Sequence, residues 1–245
     1  MMRLLLVLLM LVLTACGGSR AIVPVGNYGF GNTSSTASKT KAQAPGLYKV
    51  KKGDTLYSIS WRYGMDYKHV AKMNNIRSPY NIYIGQKLYF KNVRAKTTTT
   101  KKKVITKKTT KTVKKSLPSN QALAWRWPTK GKVISKYSQK AAGRKGIDIA
   151  GTSGQHVIAA AKGKVVYSGS GLPRYGNLLI IKHNDTYLSA YAHNKVLLVK
   201  EGQWVKAGQK VALLGQTGTQ RNQLHFEIRR NGKPVDPLKF LPKSY

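Results

Sequence analysis

Residues 91–124 hold eleven Lys or Arg and no acidic residue. The runs Thr97-Thr98-Thr99-Thr100-Lys101-Lys102-Lys103 and Lys107-Lys108-Thr109-Thr110-Lys111 leave almost no apolar surface to bury. A tract of this kind cannot offset its own ordering entropy and repels itself, so residues 91–121 are expected to form an extended, disordered linker. The chain is thereby divided into two segments that can fold, 46–90 and 122–242. A further stretch, 16–45, is rich in Gly, Ser, Thr and Ala and reads as a flexible tether.

At the start of the chain, Met1-Met2-Arg3 precedes an apolar run over residues 4–13. Ten residues are too few to span a bilayer as a helix, which takes about 20. The run fits the apolar region of a secretory signal peptide over residues 1–15. Leu13-Thr14-Ala15-Cys16 resembles the bacterial lipoprotein box, which implies acylation of Cys16 and a membrane partner through that lipid. In that family the absence of aspartate at Gly17 implies the outer membrane, periplasmic face. Cys16 is the sole cysteine of the chain, which excludes an intramolecular disulfide and a thiolate metal cluster. With 44 Lys+Arg against 7 Asp+Glu, a formal +37, the chain seeks polyanions. No aromatic-interleaved basic motif is present, so nucleic acid is not the expected partner.

In the small segment, Leu47-Tyr48-Lys49-Val50-Lys51 alternates as a strand does, and Lys52-Gly53-Asp54-Thr55 reads as a turn. Either Asp54 or Thr55 can cap the helix that carries Leu56, Ile59, Ser60 and Tyr63 at helical spacing. A second short helix holds Val70, Ala71 and Met73, and Gln86-Lys87-Leu88-Tyr89-Phe90 closes the unit as a strand. The order is strand, helix, helix, strand, an α+β (βααβ) module. The motifs Tyr48–Leu56, Ala71-Lys72-Met73-Asn74 and Ile84-Gly85-Gln86-Lys87-Leu88 resemble the LysM module. That resemblance implies binding of N-acetylglucosamine-containing glycan, hence peptidoglycan. The implied groove lies between Gly53, Asp54, Thr55 and Leu56 on one side and Ile82 and Ile84 on the other.

The large segment reads as all-β. Val165-Val166-Tyr167, Leu178-Leu179-Ile180-Ile181, Tyr187 to Tyr191, Val211 to Leu214 and Leu224 to Ile228 are strand-like runs punctuated by glycines. His156, His183, His193 and His225 fall here with Asp148 and raise the question of zinc. His183 and His156 read as structural and surface residues. The runs Gly146-Ile147-Asp148-Ile149-Ala150, Tyr175-Gly176-Asn177, Tyr191-Ala192-His193 and Leu224-His225-Phe226-Glu227-Ile228-Arg229 resemble the LytM, or lysostaphin-type, zinc endopeptidases. That family binds zinc through His-x-x-x-Asp and the second histidine of His-x-His. Asp148, His193 and His225 match. Arg144 stands where the first ligand belongs, and Gln223 where a catalytic histidine belongs. A guanidinium has no free lone pair, and an amide cannot shuttle a proton. No metal or other cofactor and no catalytic residue is therefore expected. An Arg144–Asp148 ion pair is the expected substitute for the metal's charge.

A lipid anchor, a LysM module, a basic linker and a degenerate LytM domain, in that order, resemble the NlpD-like amidase-activator lipoproteins. The resemblance implies a non-enzymatic partner of periplasmic N-acetylmuramoyl-L-alanine amidases, acting in cell division. The partner-binding groove expected from it is lined by Arg144, Asp148, Tyr175, Tyr191, His193, Gln223 and His225. An active zinc endopeptidase and a passive tether between outer membrane and wall are the rival expectations.

Overall fold

The computed structural model describes residues 44–90, 123–140 and 144–243. The expectations for the signal peptide, for Cys16, for the tether up to residue 43 and for the tract 91–121 lie outside the described residues. Among the described residues, no helix is long and apolar enough to cross a membrane.

The small module runs β1 (Leu47–Lys49), α1 (Leu56–Arg62), α2 (Tyr67–Met73) and β2 (Lys87–Tyr89), with β1 and β2 antiparallel. Thr55, not Asp54, is the N-cap of α1. Ser58 N donates to Thr55 Oγ1 and Thr55 N donates to Ser58 Oγ, each at 3.0 Å, a reciprocal capping box. Asp54 turns back instead and accepts from the Tyr48 hydroxyl at 2.7 Å and from Lys51 N at 2.9 Å. Leu56, Ile59, Val70, Ala71 and Leu88 fill the module's own core with Tyr48, Val50 and Phe90.

The larger unit is a β-domain: β3 (Val133–Ser135), β4 (Ile147–Ala150), β5 (His156–Ile158), β6 (Gly163–Gly169), β7 (Asn177–Lys182), β8 (Tyr187–Leu197), β9 (Trp204–Val205), β10 (Lys210–Leu214), β11 (Gln223–Arg230) and β12 (Lys233–Val235). A 3-10 turn over Pro237–Lys239 follows. The sheet order is β3-β4-β11-β8-β7-β6-β9, with β10 pairing β5 and β8, and β12 extending β11. All the pairings are antiparallel. The five apolar runs of the sequence lie inside β6, β7, β8, β10 and β11.

Register decides what each face carries. Phe226 pairs with Tyr191 and with Ile147, and these side chains enter the main core with Leu224, Ile228, Ile149 and Val157. One residue along, His225 pairs with Ala192 and with Asp148, so these share the opposite face. Glu227 and Arg229 follow on that face, beside Ala190 and Leu188. The opposite face is not left to solvent. A second apolar cluster joins Leu178, Ile180, Leu188, Ala190, Ala192, Val166, Tyr167 and Leu172 of the sheet unit to Trp61 and Tyr67 of the small module. The described residues of both modules belong to one compact unit.

Candidate functional site

β4, β8 and β11 lay the site out. Alternation along β11 places Gln223, His225, Glu227 and Arg229 on one face. His225 Nδ1 lies 2.6 Å from Asp148 Oδ1 on β4, and its Nε2 lies 3.2 Å from Glu227 Oε1. Burial alone lowers the His225 pKa, but hydrogen bonds and charge from Asp148 and Glu227 overcome it and raise the value to about 9. The ring is then protonated at neutral pH and donates from both nitrogens. Glu227 is fully buried, which alone raises its pKa; Arg229, His225 and Tyr175 outweigh that and hold it down at about 2. Its carboxylate accepts from the Tyr175 hydroxyl at 2.7 Å and from Arg229 Nε at 3.0 Å. The centre of the site is thus a closed row of alternating charge: Asp148, His225, Glu227, Arg229.

The loop before β7 covers this row. Tyr175 sits with its ring 6.0 Å from that of His225. Gly176 has φ +59, and a Cβ there would meet Thr217 O at 2.1 Å, so only glycine lets this loop seat on residue 217. His193 has φ +66, rare for a residue with a side chain. Its ring lies 6.0 Å from that of His225, and its Nδ1 lies 2.8 Å from Thr217 O. Burial lowers the His193 pKa. An open cleft of about 350 Å³ adjoins, lined by Ile134, Ser135, Asp148, Thr219, Gln220, Arg221 and Gln223.

Asp148, Tyr175, His193, Gln223 and His225 therefore come together as the sequence implied. Arg144 and Tyr191 do not. Arg144 is exposed, and its Nε donates to Lys136 O at 3.1 Å. The expected Arg144–Asp148 ion pair is wrong: Asp148 is engaged by His225 across the β4–β11 ladder. Tyr191 is a core residue with no exposed surface, and its hydroxyl accepts from Ala160 N at 2.8 Å and from Ser189 Oγ at 3.0 Å. Sequence reasoning assigned no role to Glu227 or Arg229. The signal for them was their period-2 spacing from His225 in a chain with only seven acids. His183 is structural, as read: it is buried, burial lowers its pKa to about 4, and its ring nitrogens lie 2.8 Å from Lys162 O and 2.7 Å from Ser189 Oγ.

A zinc ion fits this donor set poorly. Arg144, which the LytM resemblance puts at the first ligand position, is an exposed guanidinium, and the His225 nitrogen nearest Asp148 is committed to that carboxylate. Both ring nitrogens of His225 are taken up by carboxylates, Asp148 at 2.6 Å and Glu227 at 3.2 Å, so neither is left to face a metal.

In the small module, Leu56 and Thr55 leave the expected glycan groove. Leu56 is 1% exposed in the core and Thr55 is the buried cap. Ile82 packs partly against that core, while Ile84 and its neighbour Tyr83 are each 72% exposed. Gly53 keeps a left-handed turn at φ +81.

Comparison with known proteins agrees with this architecture. Residues 48–91 match the LysM domain model, and residues 142–237 match Peptidase family M23. The chain is 45% identical over 230 residues to the lipoprotein NlpD/LppB homolog of Pseudomonas aeruginosa, covering 81% of this chain and 77% of that protein. It is 41% identical to the murein hydrolase activator NlpD of Escherichia coli, covering 80% and 68% respectively. It is 45% identical to the uncharacterized lipoprotein YgeR of the same species, covering 86% and 87%. A LysM domain joined to a Peptidase family M23 domain, with identity at this level across most of both chains, places the protein in the NlpD family of lipoproteins.

Proposed function

We propose that this protein is a non-catalytic activator of murein hydrolases, and that its direct partner is a periplasmic N-acetylmuramoyl-L-alanine amidase. The observation that carries the reading is the state of the peptidase-like centre. An exposed Arg144 and a buried Gln223 stand at two positions where hydrolysis needs imidazole, and His225 is locked between Asp148 and Glu227. Gln223 cannot shuttle a proton, and His225, held at both ring nitrogens by carboxylates, is not free to act as a base, so His193 stands without a partner imidazole. An open cleft adjoins this centre. It offers the amides of Gln220 and Gln223, the Thr219 hydroxyl, the Arg221 guanidinium and the Asp148 carboxylate. Such a set suits a polar peptide segment of a partner protein. Relatives named murein hydrolase activators support the same reading.

In this reading the LysM module recruits the chain to peptidoglycan, with Ile84 and Tyr83 as the exposed wall of its sugar groove. Acylated Cys16 anchors the chain at the periplasmic face of the outer membrane, and the activated amidase splits septal peptidoglycan as daughter cells separate. The partner occupies the cleft and in doing so shifts the amidase toward its open, active state.

The test is stimulation of the purified amidase by the chain from Gly17 onward. Thr219→Trp fills the cleft from a partly exposed position. Stimulation by the wild-type chain and its loss in this variant, with the fold retained by circular dichroism, is the expected result. Equal stimulation by both chains would remove the cleft from the account.

A further inference from the structure

The LysM module covers the far end of the charged row. Arg229 is 4% exposed. Its Nε donates to Glu227 within the row, while its Nη1 donates to the main-chain oxygen of Trp61, 2.8 Å away, in α1 of the LysM module. The guanidinium carbon lies 3.5 Å from the centroid of the Trp61 ring. Trp61 itself is 3% exposed and lies outside the LysM module's own core; it belongs to the cluster in which Tyr67 of that module meets the apolar residues of the sheet. A buried guanidinium needs its donors satisfied and its charge compensated. Here the sheet supplies Glu227, and the LysM module supplies a carbonyl and an aromatic face.

Three other contacts hold the modules in this arrangement. Arg62 donates to Gly171 O at 3.1 Å, in the loop that carries Tyr175. Lys182 lies with its ammonium 5.4 Å from the Tyr67 ring centroid. At the Asn231-Gly232 turn joining β11 to β12, a Cβ on Gly232 would meet the Asp66 main-chain nitrogen at 2.5 Å. The backbones of the two modules approach that closely only because residue 232 is glycine.

We propose that Arg229 is a positioning residue and that the docked LysM module completes the partner-binding cleft, beyond any recruitment to glycan. Arg229 orients Glu227, Glu227 orients His225, and His225 orients Asp148, which lines the cleft. The far end of this chain of contacts is fixed by Trp61. When the module leaves, Arg229 loses its carbonyl and its ring, water enters over Glu227, and the row loses the geometry that presents Asp148. The inference rests on the cleft being the amidase site.

The test measures amidase binding by the chain from Gly17 onward in solution, with no peptidoglycan present, so that glycan recruitment cannot contribute. Docking is read separately from the radius of gyration in small-angle X-ray scattering. Trp61→Ala removes the aromatic face stacked on Arg229, at a residue outside the LysM module's own core. Gly232→Asn inserts a wedge, and asparagine tolerates the left-handed turn there. Both variants are expected to expand the molecule and weaken amidase binding by on the order of tenfold. Arg229→Lys is expected to weaken binding too, because an ammonium reproduces neither the fork nor the stack. Expansion with unchanged amidase binding overturns the inference and leaves the proposed function standing. Unchanged dimensions in both variants overturn it as well, since the Trp61 contact then does not hold the modules together. A wild-type chain that fails to bind amidase refutes the proposed function itself.

Discussion

His225 Nδ1 and Asp148 Oδ1 lie 2.6 Å apart, on paired positions of β11 and β4. These are the two positions that match metal ligands in the LytM resemblance, and here they bind each other. On its other side the His225 ring reaches Glu227, so the imidazole is held between two carboxylates at this spot.

Zinc is therefore expected to leave the fold indifferent. Thermal unfolding of the chain from Gly17 onward should be the same with added zinc and with a chelator. A melting temperature that rises in proportion to the logarithm of zinc concentration would show a native-state metal site and contradict the donor argument.

Stability should fall as pH rises through the window set by His225. Its folded pKa is raised from 6.5 to about 9. The stabilisation is fully present below pH 6.5 and lost between there and about pH 9, on the order of 3 kcal/mol at roughly 1.4 kcal/mol per unit. His183 acts in the other direction and in another window. Its folded pKa is lowered to about 4, so it costs stability as pH falls from 6.5 toward 4. Urea unfolding across pH 6 to 10 should show the loss in the wild-type chain, and His225→Gln should flatten it. An unaltered slope in that variant would assign the loss elsewhere.

Glu227 holds the row together and has no exposed surface. Glu227→Ala strips both His225 and Arg229 of a buried counter-charge. It should cost about 3–5 kcal/mol in chemical denaturation. A cost near zero would mean that water or another group takes its place.

The LysM module separates packing from binding at two residues that the sequence grouped together. Leu56→Ala should destabilise by about 2–5 kcal/mol through a core cavity. Ile84→Ser, at a 72% exposed position, should change stability by less than about 0.5 kcal/mol and weaken binding to chitin oligomers. The reverse pattern would place the groove on another face.

What the sequence made legible was local. The turn and helix spacing after Val50 mark the LysM module because each signal acts within a few residues. The five apolar runs mark the interior strands for the same reason. β3, β5, β9 and β12 span only two or three residues each and have too little pattern to read. β8 runs to Leu197, past the point where Tyr191 ended the apolar run. The Tyr191 assignment failed for a specific reason. Tyr191 and His193 are two apart, so unbroken alternation would put them on one face, but Tyr191 keeps the core face opposite Phe226 and the positive φ at His193 turns that residue to the site instead. The Arg144 assignment failed because spacing along the chain is not contact. The backbone bends at 145–146 before β4 begins, and the nearest charge partner of Asp148 is 77 residues away in sequence. The contact between Trp61 and Arg229 joins residues 168 apart and has no local signal at all.

Digestion of isolated sacculi tests the central claim most directly. The chain from Gly17 onward is incubated with sacculi alone, with the amidase alone as control, and with both together, and the products are identified by mass spectrometry. The account expects free peptides and bare glycan strands well above the amidase-only level when both proteins are present, and no product from the chain by itself. Cleaved peptide cross-links produced by the chain alone would show that Arg144 and Gln223 have not disabled the site, and would contradict the account.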